Sequence, residues 1–107
     1  MEKQKPHYDL KKLKKLFSNE ATRLITATAQ KGAAEEGYMD EDDIVEVVNK
    51  LCMQHFYKSM TSFHNSQIWQ DVYKFKEEEK NLYIKLQLSV DKKQTILIQM
   101  KRDEGGD

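Results

Sequence analysis

Lys58, Gln70, Tyr83 and Lys85 are the residues of this chain whose types and placement could do chemistry together. The stretch from Leu82 to Val90 alternates, with Leu82, Ile84, Leu86, Leu88 and Val90 on one face and Tyr83, Lys85, Gln87 and Ser89 on the other. That period of two is the pattern of a half-buried strand. If a hairpin over 56–73 pairs beside this strand, Lys58 and Gln70 join its polar face. The face then offers a cation, an amide and a phenol, without carboxylates converging on it. Cleaving RNA without a metal needs a group to remove the 2′-hydroxyl proton, charge on the pentacoordinate phosphate, and a proton for the 5′-leaving oxygen. A lysine supplies the charge, and a Lys or Tyr of lowered pKa can carry a proton. Tyr57, Trp69 and Tyr73 could stack unpaired bases. The plainer readings are that Tyr and Lys on a sheet face serve solubility, and that the aromatics fill the core. Gln70 also shares its alternation class with Ile68 and Val72, so it is expected to face the core unless a bulge or strand curl re-aims it.

These residues need a scaffold, and the chain supplies a helical half followed by a strand half. Leu10, Leu13, Leu16 and Phe17 make the apolar face of a helix over 9–17, with Lys11, Lys12, Lys14 and Lys15 as its polar side. That basic ridge reads as a solvated face or as a surface for RNA or a partner. Ser18-Asn19 ends the helix. Residues 22–26 fit either a small edge strand or a helix start at Thr26. Ala27 to Glu36 reads as helix stopped by Gly37. Asp40 is the expected N-cap of the next helix, with Glu41, Asp42 and Asp43 at the positive end of its dipole. Ile44, Val47, Val48, Leu51 and Cys52 form its buried stripe. Those acids are therefore structural, and the ligand spacing of a calcium loop is absent.

From Phe56 the pattern turns to strands. Phe56–Thr61 and Ile68–Tyr73 flank a turn at Phe63-His64-Asn65-Ser66. The charged run Lys74–Lys80, with Asn81, is expected to be a loop, and Asp91-Lys92-Lys93 a turn. Ile96, Ile98 and Met100 predict a fourth strand with one apolar face. Residues 103–107 are expected to form a disordered acidic tail behind a single domain over 1–102. The sum is an α+β domain, N-terminal helices packed on one face of a curved antiparallel sheet.

Composition narrows the function classes. No run approaches the ~18 apolar residues of a membrane span, and the first residues lack a secretory signal, so a cytoplasmic protein with no membrane partner is expected. The single Cys52 rules out an internal disulfide and a cysteine-based zinc site, and its expected place is a buried helix face. His7, His55 and His64 show no spacing that unites them as metal ligands, so neither a metal nor a cofactor is expected. His64, in a turn, could act as an acid or base, but surface histidines are the plainer reading. The net charge of zero conceals a segregation: +3 over 1–20, −4 over 21–52, +4 over 53–102 and −3 over 103–107. Phosphate attraction is screened within about 8–10 Å at ordinary salt, so local positive potential permits RNA binding in a neutral protein.

The blocks Phe56-Tyr57-Lys58-Ser59-Met60-Thr61 and Ile68-Trp69-Gln70-Asp71-Val72-Tyr73 closely resemble the MqsR family of mRNA interferases. Pro6-His7 followed by Leu10 and Lys14-Lys15-Leu16 agrees with it, as does Tyr83-Ile84-Lys85 opening a long strand. These are toxins of bacterial type II toxin–antitoxin pairs, similar in fold to the RelE and YoeB toxins. The resemblance implies a catalytic set at Lys58, Gln70 and Tyr83, with Tyr57, Met60, Trp69 and Lys85 as expected substrate contacts. It implies metal- and ribosome-independent cleavage of single-stranded mRNA, often at a GCU-type triplet, leaving a cyclic or 3′-phosphate. It implies as partner a cognate antitoxin of the MqsA type, a zinc-binding, helix-turn-helix DNA-binding repressor. The chain departs from the family pattern after the second block, where Lys74-Phe75 stands in place of Arg-Pro and the acids Glu77-Glu78-Glu79 follow. A non-catalytic RNA- or antitoxin-binding module diverged from such a toxin is the alternative.

Overall fold

A computed structural model describes residues 1–105. Three helices cover one face of a six-stranded sheet, an α+β arrangement. Helix α1 spans Leu10–Phe17, α2 Ala27–Glu35 and α3 Glu41–Lys50. The strands are β1 (Glu2–Lys3), β2 (Arg23–Ile25), β3 (Phe56–Thr61), β4 (Trp69–Glu77), β5 (Lys80–Leu88) and β6 (Thr95–Arg102). Their order is β1-β3-β4-β5-β6-β2, antiparallel except where β2 runs parallel to β6.

The helices begin where side-chain oxygens satisfy free backbone N–H groups. Asp9 accepts from the Lys11 N–H at 3.0 Å, and Thr26 from the Ala29 N–H at 3.1 Å. Thr26 directly follows β2, so the strand and the helix start read at 22–26 are both present. Leu10, Leu13 and Phe17 of α1 and Ile44, Val47 and Val48 of α3 are buried against Tyr73, Phe75, Leu82, Ile84, Leu86, Leu97 and Met100 of the sheet. Each such large side chain contributes roughly 1.5–3 kcal/mol of transfer free energy. Helix α2 lies against β6 so closely that a Cβ on Gly32 would sit 2.2 Å from the Met100 carbonyl oxygen.

Several local expectations are corrected. The charged run after Tyr73 is strand: β4 continues through Glu77 and turns into β5 at residues 78–79, with Glu78 left-handed at φ 57°. Tyr73 and Phe75 point into the core while Lys74 points away, and this alternation carries the strand through the charges. Cys52 is exposed, because Leu51 adopts an extended backbone and α3 ends at Lys50. Val90 is exposed beyond the end of β5. In β6 the core-facing residues are Thr95, Leu97 and Met100; one extra residue at the bulge opposite Lys85 and Leu86 shifts the phase, and Ile96 pairs with Gln87 instead. Tyr73 is fully buried in the core, which removes it as a base platform. The acidic tail lies partly outside the described residues. Within them, the Asp103 N–H donates to the Asn81 carbonyl at 2.7 Å, and its carboxylate stands 3.4 Å from Lys74 Nζ.

Candidate active site

Among the described residues no helix covers the sheet's second face, and strand register builds it row by row. Lys58 pairs with Val72, Val72 with Lys85, and Lys85 with Gln99. On one side of this row Met60 pairs with Gln70, whose Nε2 donates to Gln87 Oε1 at 2.8 Å. On the other, Lys74 pairs with Tyr83 and Tyr83 with Lys101. The parity conflict at Gln70 disappears here. Val72 is fully buried yet lies outside the core cluster, on the open face, and Ile68 precedes the strand. Gln70 and Val72 do share a face, and it is the polar one. No bulge is required in β4.

A bulge does occur in β3, where Tyr57 and Lys58 together oppose Val72. The extra residue puts the Tyr57 ring beside Lys74, whose Nζ lies 3.9 Å from the ring centroid. Lys58 Nζ is 5.6 Å from the same ring. Lys101 Nζ lies 5.2 Å and Lys85 Nζ 5.8 Å from the Tyr83 ring centroid, distances at which ring quadrupoles attract cations. The Tyr83 hydroxyl is 4.0 Å from Met60 Sδ. Lys58, Gln70, Tyr83 and Gln87 are each less than a tenth exposed. A face kept only for solubility would leave its lysine and glutamines in water. This one packs them against each other.

The structure thus brings together Lys58, Gln70, Tyr83, Tyr57, Met60 and Lys85. Trp69 is elsewhere: it lies on the opposite side of β4, its ring stacked on His7 at 5.6 Å with Lys3 Nζ 4.2 Å from its centroid. There it lines a cavity of about 320 Å³ with His7, Gln67 and Gln87. Burial, then the nearby Lys3, lowers the His7 pKa. His64 is exposed in the 62–68 loop, and His55 Nδ1 accepts from the Cys52 N–H at 2.9 Å, so neither approaches the open face. Among the described residues no cluster of His, Cys, Asp or Glu is placed to hold a metal ion.

Sequence reasoning missed Lys74, Lys101, Glu2 and Asp71. The two lysines follow from alternation once β4 and β6 are extended to their observed lengths. Glu2 arrives on β1, paired to Met60, and its Oε2 accepts from Lys58 Nζ at 2.6 Å. A carboxylate therefore does reach this face, contrary to expectation. Asp71 is fully buried on the other side of β4 and accepts from the His7 and Tyr8 N–H groups and the Ser59 hydroxyl. It ties the N-terminal segment to the sheet.

The family model described as "Motility quorum-sensing regulator, toxin of MqsA" matches residues 5–102. This chain belongs to the MqsR toxin family. It is 38% identical over 86 residues to the protein named mRNA interferase toxin MqsR of Escherichia coli strain K12, covering 80% of this chain and 86% of that relative. The residues matched by the MqsR model include both blocks, Tyr83, Lys85 and Lys101, and stop short of Glu2 at the N-terminal end. No helix in the described residues is long and apolar enough to cross a membrane.

Proposed function

We propose that this chain is the toxin of a bacterial toxin–antitoxin pair, an endoribonuclease that cuts single-stranded mRNA in the cytoplasm by 2′-hydroxyl attack. The observation that carries the reading is the burial of Lys58, Gln70 and Tyr83, remote in sequence, on one cation-rich sheet face. In this reading Lys58 neutralises the scissile phosphate, Tyr83 transfers a proton, and Gln70, oriented by Gln87, holds phosphate or ribose. Tyr57, Met60 and Lys85 contact the flanking RNA; Trp69, on the other side of β4, does not. The chemistry requires no metal, the favoured sequence is a GCU-type triplet, and the partner is an antitoxin of the MqsA type. The relative's name, an mRNA interferase toxin, supports the same substrate class.

The test is cleavage of a long mRNA by the purified chain in EDTA, with the ends sequenced. Site-specific cuts that Lys58→Ala abolishes and Tyr83→Phe slows are the expected result. Expression without antitoxin should arrest growth, and Lys58→Ala should relieve the arrest. If both variants cut like the parent, the assignment is wrong. The engagement of Lys58 by Glu2 favours one competing reading, a module that binds RNA without cutting it. RNA retention with no new ends would support that reading instead.

A further inference from the structure

One chemical role in the cleavage has no owner among Lys58, Gln70 and Tyr83. Removing the 2′-hydroxyl proton needs a group that is unprotonated at neutral pH, whereas lysine and phenol side chains ordinarily keep their protons there. Glutamine and methionine accept none. A carboxylate is ordinarily ready to do so. Asp71 faces the opposite side of β4 and spends its oxygens on the 7–8 backbone and Ser59. Glu77 is turned to Tyr38 and Lys50. Asp103 pairs with Lys74, two residues along β4 from Val72, the residue opposite Lys58.

Glu2, by contrast, pairs with Lys58. Alternation on β1 sends Lys3, opposite Ser59, toward Trp69, and Glu2, opposite Met60, to the open face. The Lys58 side chain is 5% exposed and that of Glu2 is 52% exposed, so a ribose arriving from solvent meets the carboxylate beside the ammonium.

We propose that Glu2 is the general base of the cleavage reaction, an assignment that rests on the endoribonuclease reading. Its carboxylate takes the 2′-hydroxyl proton as the 2′-oxygen bonds to phosphorus. The bond from phosphorus to the 5′-oxygen breaks, and that oxygen takes a proton from Tyr83. The products are a 2′,3′-cyclic phosphate and a 5′-hydroxyl, and exchange with water returns the two side chains to their starting states. Lys58 then has one task, charge at the phosphate.

The experiment compares the full chain with Glu2→Gln and Glu2→Asp on one short RNA across pH. The charge facing Glu2 from a neighbouring strand is Lys58 on β3, with Lys85 in the Lys58 row; on its own segment Lys3 turns to the other face, over Trp69, and the Met1 ammonium donates to Thr61. Glu2→Gln is expected to lower kcat by about 100-fold or more with KM within a few-fold. It should also abolish the fall of kcat/KM toward acid pH, and Glu2→Asp should restore part of the rate and that fall. A raised KM with the acid limb intact would mean that Glu2 only positions Lys58, and overturns the proposal. So would faster cleavage by Glu2→Gln, or loss of the acid limb in Asp103→Asn instead. Wild-type protein that leaves RNA uncut overturns the endoribonuclease reading and this assignment with it. A wild type that cuts beside an equally active Glu2→Gln overturns this assignment alone.

Discussion

The two faces of the sheet are buried by different means. On the helix side, Tyr73, Phe75, Leu82, Ile84, Leu86, Leu97 and Met100 are covered by other elements. On the open side, Lys58, Gln70, Tyr83 and Gln87 reach comparable burial with no helix of the described residues above them. Long polar side chains pack beside one another there, Gln70 on Gln87 and the Lys58, Lys74, Lys85 and Lys101 ammoniums near the Tyr57 and Tyr83 rings. The first face follows from the hydrophobic effect and tolerates similar apolar side chains. The second depends on specific pairs, such as Gln70 with Gln87 and Lys58 with Glu2. Changes on the first should therefore be read in stability, and on the second in activity.

The largest expected break of that symmetry is Lys58→Met. It keeps much of the side-chain volume and removes the charge, so cleavage should fall by roughly 100- to 10,000-fold. Its thermal midpoint should stay near that of the parent; a collapsed midpoint would make the open face a second core rather than a site. Next is Asp71→Ala, which leaves the His7, Tyr8 and Ser59 donors without their acceptor. Its expected cost is about 2–4 kcal/mol in denaturant unfolding. Because Asp71 holds the segment that carries Glu2, activity should fall further than stability alone explains.

Gly32→Ala tests the helix side by itself. Its new Cβ must push α2 off the Met100 carbonyl, at an expected 1–3 kcal/mol by the usual scale of overpacking (roughly, as for other crowded cores). Cleavage by the molecules that remain folded should be unchanged. The smallest expected effect is at Glu77, remote from the open face. A hydrogen bond from Lys50 is the main reason that its carboxyl sits below the ordinary value. That depressed value means the contribution is present above the ordinary carboxylate range and lost as pH falls through the lowered one. Glu77→Gln should cost under about 1 kcal/mol near neutral pH, given its partial exposure, and nothing in strong acid. A gap that widens on acidification would contradict a lowered Glu77 carboxyl.

Period-based reading worked where burial follows residue type. The three helices, the Asp40 cap, a helix start at Thr26, the helix-facing side of β5, and the placing of Lys58 and Tyr83 on one face were all legible in local pattern. It failed wherever a strand's charged or apolar character and its direction disagreed. Lys74, Lys76 and Glu77 belong to a strand because Tyr73 and Phe75 are anchored in the core. Val72 faces the polar side because its neighbours in the chain do not, and the bulge in β6 exchanges the roles of Ile96 and Leu97.

The two six-residue blocks by themselves determined the family, and alternation around Tyr83 determined which of its side chains share a face. Only the tertiary structure decided that Gln70 meets Gln87, that Trp69 leaves the face, and that Glu2 comes to Lys58. The physical reason is one of distance. Alternation and helical period are set by neighbours in the chain, whereas the Lys58–Glu2 pair joins residues 56 positions apart through a two-residue strand too short to carry a pattern of its own.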